Sequence, residues 1–203
     1  MQPKEYEQNV LVTESKDFLP IKTRIDDPMI RLLHAGLGLS SELAELADAI
    51  AGAGNDIDWV NIAEESSDLA WYVAIAVNTL GFDHDEISSQ EDLANDTLME
   101  KYSMSVLQGA LYAAVWATGE FNDQIKKHLF YGRTFDREKV KKTLQQLCMA
   151  ISGLCVVSGT TIGEARATNI AKLRARYGDK FSEAAALNRN LEVERKILED
   201  GVK

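Results

Sequence analysis

Three prolines and thirteen glycines in 203 residues leave long stretches of this chain without a helix breaker. Cysteine is scarcer still. Cys148 and Cys155 lie seven apart on one predicted helix, roughly 10 Å along its axis. That is too far for an intrahelical disulfide, so both are read as reduced core residues. No run of eighteen apolar residues occurs, which excludes a simple membrane-spanning helix. The opening MQPKEYEQNV has no apolar signal core, so a cytosolic protein is expected. Positive charge is also short: 22 Lys and Arg against 32 Asp and Glu give a net charge of −10 and a pI near 4.8. Such a balance argues against nucleic acid or a membrane surface as partner. An acidic chain can still bind phosphates if metal ions supply the positive charge. What is plentiful is apolar residues, at 45%, enough for a substantial core.

Those residues recur at helical spacing, and no alternating strand pattern competes. The fold class is therefore all-α. Residues 1–25 look irregular, with Val10-Leu11-Val12 as a short extended strap. Asp26-Asp27-Pro28 then supplies a cap followed by Pro at the first helical position, opening a helix expected to reach Gly52. Asp56 or Asp58 caps a second helix ending at Gly81. A third is expected over about 89–102, and a fourth from about 104 to Tyr131-Gly132. A fifth runs from Asp136 to near Gly159, and a sixth from Thr161–Glu164 to Tyr177-Gly178. Ser182 caps a last charged helix to about Glu199.

Two acidic pairs stand out, Glu42-Leu-Ala-Glu45 and Glu65-Ser-Ser-Asp68. Positions three apart share a helix face, so each pair projects two carboxylates together. Acidic pairs on solvated faces are common and mean little, but these are set in apolar surroundings. Glu45 is flanked by Leu43, Ala44, Leu46 and Ala47, and Asp68 precedes Leu69-Ala70-Trp71-Tyr72-Val73-Ala74-Ile75. Buried carboxylates need a partner, and four like charges in one cleft would raise their own pKa values. A hard divalent cation removes that cost, and Mg²⁺ favours carboxylate oxygen.

The order of elements repeats. Ala44–Ile50 matches Gly119–Ile125, with Glu45 75 residues before Glu120. Asp58 and Gly81 match Asp136 and Gly159 at an offset of 78. Ile87, Leu98 and Lys101-Tyr102 match Ile162, Leu173 and Arg176-Tyr177. This reads as an internal duplication. The second copy places Ala117, Glu120, Thr143 and Gln146 at the acidic positions. The first copy places Ala94 and Thr97 where the second has Asn169 and Lys172. Such complementary losses are expected if one site is shared across a fused pseudo-dimer.

ExxE followed after about twenty residues by ExxD resembles the MazG-like, all-α nucleoside triphosphate pyrophosphohydrolases. The stretches Asn122–Gly132, Asp136–Lys139, Asn169–Tyr177 and Phe181–Asn190 are similar to the same group, including its small phage-encoded members. The fused arrangement resembles that of the dimeric dUTPases. The resemblance divides the chain into a strap (1–28), a metal-binding repeat (29–102), a degenerate repeat carrying the Asn/Lys/Arg helix (103–190) and a helical tail (191–203). It implies two pseudo-symmetric halves, hydrolysis of a (d)NTP to a (d)NMP and diphosphate with Mg²⁺ or Mn²⁺, and a homodimer in a bacterial cytosol or a phage-infected cell.

By position, Glu42, Glu45, Glu65 and Asp68 would bind metal, with Glu42 the first candidate for the base and Glu45 the second. Asn169, Lys172, Arg176 and Tyr177 would meet the substrate, with Lys127 a weaker phosphate contact and Tyr72 a base-stacking candidate. Ser41 and Ser66-Ser67 depart from the family pattern, where Glu and Leu-Gly are common.

Two rival readings compete with this one. A di-iron bundle uses Glu-x-x-His, but Arg31, Gly81 and Ile125 stand three before His34, His84 and His128. A non-catalytic helical interaction module with exposed acidic faces is the other. No P-loop or dinucleotide glycine pattern is present.

Overall fold

The structure, a computed structural model, describes residues 1–52, 56–89, 91, 101–178 and 180–202. Among these it contains ten helices and no strand. They are α1 (Pro3–Thr13), α2 (Leu19–Lys22), α3 (Asp27–Gly52), α4 (Trp59–Leu80), α5 (His84–Ser88), α6 (Met104–Tyr131), α7 (Arg137–Val157), α8 (Ile162–Tyr177), α9 (Glu183–Leu187) and α10 (Leu191–Gly201). The helix expected over 89–102 lies almost wholly outside the described residues, and with it Ala94 and Thr97.

Four long helices build the core. α3 pairs with α4 and α6 with α7, and the two hairpins join through α4 on α7 and α3 on α6. Leu39, Leu46, Ile62 and Leu69 from one hairpin and Phe121, Leu144, Ile151 and Leu154 from the other are fully buried in one continuous cluster. Each such side chain contributes about 1.5–3 kcal/mol relative to exposure. Cys148 and Cys155 are free and buried in the same core, where burial pushes both thiols up to about 12. As expected, they are inert packing residues.

Helix ends follow the sequence signals. Asp58, and not Asp56, caps α4 by accepting from Asn61 N. Asp136 caps α7 in the same way from Lys139 N. Gly81 and Gly132 end α4 and α6 with φ of 64°, a conformation that favours glycine. Thr161 and Glu164 form a reciprocal capping box on α8.

Two expectations fail. Residues 10–12 are not an extended strap but belong to α1, a helix that begins at Pro3 and buries none of its residues. The single helix expected after Ser182 is broken into α9 and α10. Asn190 caps α10 by accepting from Val193 N, and Arg189 beside it turns inward to Glu194.

α8 lies across α4, and α10 packs on α8. This brings residues from the end of the chain over the acidic face of α3 and α4.

Candidate metal centre

Glu42 and Glu45 come from α3, and Glu64, Glu65 and Asp68 from α4. All five line a cleft of about 660 Å³. Glu42, Glu45 and Glu65 each place one carboxylate oxygen within 4.8 Å of the others. Among the described residues no lysine or arginine pairs with any of these three, although Ser41 Oγ lies 3.4 Å from Glu42. Glu65 is only 6% exposed. Its burial, with Glu42, Glu64, Asp68 and Glu45 beside it, pushes its pKa up to about 9. Glu42 is also raised, first by burial and then by the charge of Asp68. A buried carboxylate that must hold a proton for want of a cation is poorly matched to its surroundings. An all-oxygen donor set of this kind fits a hard divalent ion such as Mg²⁺ or Mn²⁺.

Asp68 is differently placed. Its Oδ2 accepts from Lys172 Nζ at 2.7 Å and its Oδ1 from Asn169 Nδ2. Lys172 also donates to Glu64 Oε1 at 3.0 Å, and its side chain is 1% exposed. Burial alone would lower Lys172, but the charges of Asp68 and Glu64 more than offset this and hold it above the ordinary lysine value. Asn169 also donates to Ser67 Oγ at 3.1 Å. Ser67 itself bonds the Glu64 carbonyl at 2.7 Å, and Ser66 that of Ile62 at 2.6 Å. The two serines thus have their hydroxyls satisfied within a buried helix face. Lys172 is no solvated group facing outward; it lies behind the carboxylates.

Aromatic side chains form the remaining walls. His34, Trp71 and Tyr72 meet edge to face, with Trp71 and Tyr72 centroids 5.0 Å apart. Across the cleft Tyr177 and Phe181 lie 5.2 Å apart. Burial, followed by the charge of Glu42, raises the Tyr72 phenol and keeps it protonated. At the rim, Arg176 forms a two-point bond to buried Glu194 at 2.9 and 2.5 Å, and Arg189 meets the same carboxylate at 2.7 Å. Burial would raise Glu194, but the two guanidiniums override it and hold it at about 2.

The structure therefore gathers Glu42, Glu45, Glu65, Asp68, Tyr72, Arg176 and Tyr177 around one cleft, with Asn169 and Lys172 immediately behind. Lys127 is not part of it. It pairs with Asp123, one turn earlier on α6, and α6 packs on another face of α3, through Asn122 against Gly36. In the second hairpin, Glu120 pairs with Lys139 at 2.6 Å, Ala117 and Thr143 are buried and Gln146 is exposed.

Sequence reasoning missed His34, Asn61, Glu64, Phe181 and Arg189. Helical stripes were the available signal for three of them. His34 lies on the Gly38–Glu42–Glu45 stripe, Asn61 precedes Glu65 by four, and Glu64 precedes Asp68 by four.

No protein-family model, no curated protein and no solved structure matches the chain.

Proposed function

We propose that the protein is a Mg²⁺-dependent (d)NTP pyrophosphohydrolase of MazG-like architecture, converting a (d)NTP and water to a (d)NMP and diphosphate. One observation carries this reading. Three mutually close carboxylates with no basic partner among the described residues share a cleft with two aromatic walls and an arginine rim. Acid floor, aromatic wall and basic rim are what a nucleoside polyphosphate held through a metal ion requires.

Glu42, Glu45 and Glu65 would hold Mg²⁺. The bound ion would neutralise phosphate charge and acidify the attacking water. Glu42, held above the ordinary carboxylate value by burial and then by the charge of Asp68, would accept the proton from that water. Tyr72 or Trp71 would stack on the base, and Arg176 would meet phosphate oxygen once released from Glu194. Asn169 and Lys172 position Asp68 and Glu64 rather than touch substrate in this arrangement. The repeated long hairpins, the matching caps at Asp58 and Asp136 and the glycines at 81 and 159 support a fused pair of MazG-like halves with one site between them. Action in the cytosol, as a homodimer, fits the same reading.

The rival, an interaction module with exposed acidic faces, is less well supported because Glu65 is buried and Glu42 half-buried. The test is a panel of the eight common (d)NTPs with Mg²⁺ and detection of diphosphate. At least one nucleotide should be cleaved to its monophosphate, with loss of turnover in EDTA and in Glu45→Gln. No conversion, together with no change in melting temperature on adding Mg²⁺, would favour the interaction module.

A further inference from the structure

Cleft charge is divided between two groups of carboxylates. Among the described residues, Glu42, Glu45 and Glu65 pair with no lysine or arginine, whereas Glu64 and Asp68 share Lys172. The lysine is buried, its Nζ bridges one oxygen from each acid, and the remaining Asp68 oxygen is taken by Asn169. Both oxygens of Asp68 are thus committed to protein donors. A divalent ion drawing on the remaining lone pairs of Asp68 would have to sit beside a buried ammonium group that repels it and has no solvent to retreat into.

We infer that Lys172 is a built-in cation occupying the place of a second metal ion, so that the centre takes one divalent ion per chain, on Glu42, Glu45 and Glu65. This rests on the metal-centre reading above and goes beyond it in fixing the number of ions. It also assigns Lys172 as a positioning residue, one whose effect on substrate passes through Asp68 and Glu64. A lysine serves here where a metal would not, since its charge is single, it cannot dissociate, and with Asn169 it holds both oxygens of Asp68.

The experiment counts Mn²⁺ bound per chain by electron paramagnetic resonance and equilibrium dialysis, with no nucleotide present, because a nucleotide brings ions of its own. Wild type should bind one. Lys172→Ala, which opens space and leaves Glu64 and Asp68 unpaired, should bind two, and adding Asp68→Asn to it should return the count to one. Two ions in wild type, or an unchanged count in Lys172→Ala, overturns the inference while leaving the metal centre standing. No bound ion in wild type would remove the centre itself, and the inference with it. If Lys172→Ala does not fold, Glu64→Gln and the wild-type count decide. One ion in both supports the inference, and a fall from two to one overturns it.

Discussion

Glu65 enters the cleft without meeting a donor from a basic residue among the described residues, and the consequence can be read as a pH profile. Its pKa is about 9 in the folded chain against 4.5 for the free side chain. The native state therefore binds more protons than the unfolded one between those values, and stability falls as pH rises across that window. Glu194 acts in the opposite sense. Held at about 2, it contributes stability above pH 4.5 that is lost as pH falls towards 2. Metal-free protein should accordingly melt highest near pH 5 and progressively lower towards pH 9. Glu65→Gln should flatten the alkaline limb. Mg²⁺, which must displace the proton, should raise the melting temperature more at pH 8 than at pH 6. Melting curves in EDTA and in Mg²⁺ across that range check all three. Thr143 provides a contrast. Its hydroxyl bonds only the Lys139 carbonyl at 2.9 Å, so Thr143→Ala should leave turnover within about twofold and cost on the order of 1 kcal/mol in denaturant melts. Spacing in the sequence was sufficient to place Glu42, Glu45, Glu65 and Asp68 together. It could not show that Lys172 would claim Asp68, since periodicity assigns a face and not a partner.

Helices approach closely here at two glycines of α3. Gly36 and Gly38 are roughly 200° apart around the helix, and each admits a different neighbour. A Cβ on Gly36 would fall 2.1 Å from Asn122 Oδ1 on α6, and one on Gly38 would fall 2.1 Å from the Tyr72 ring on α4. Alanine in mid-helix normally stabilises by about 0.5–1 kcal/mol over glycine. At Gly38 the clash should prevail: Gly38→Ala should lose about 1–3 kcal/mol by overpacking and raise KM as Tyr72 is driven into the cleft. Gly109→Ala on α6, whose new methyl meets nothing within 4 Å beyond its own helix backbone among the described residues, should gain about 0.5–1 kcal/mol. Denaturant titration of the two variants side by side tests the contrast. Element ends were largely legible, because Asp58, Asp136, Gly81, Gly132 and the Thr161–Glu164 box carry their own local chemistry. α1, α2 and α5 were not. They are short or bury little, and weak periodicity leaves nothing to read. The break between α9 and α10 does carry a local signal, the Asn190 cap, but the contact that seats α10, Glu194 on Arg176 of α8, joins two elements and leaves no local pattern.

Across the whole molecule, the all-α class followed from composition and period alone, whereas the cleft depends on how α8 crosses α4, a relation no local pattern encodes. Residues 42–72 supply the acids, and 169–189 supply the lysine, the arginines and one aromatic wall. The lysine that neutralises Glu64 and Asp68 thus arrives more than a hundred residues after them. During synthesis, any α3–α4 hairpin that forms before residue 172 has emerged carries five crowded carboxylates and no lysine. A chain stopped before residue 172 would lack that cation, and protons or a divalent ion would have to relieve the repulsion in its place.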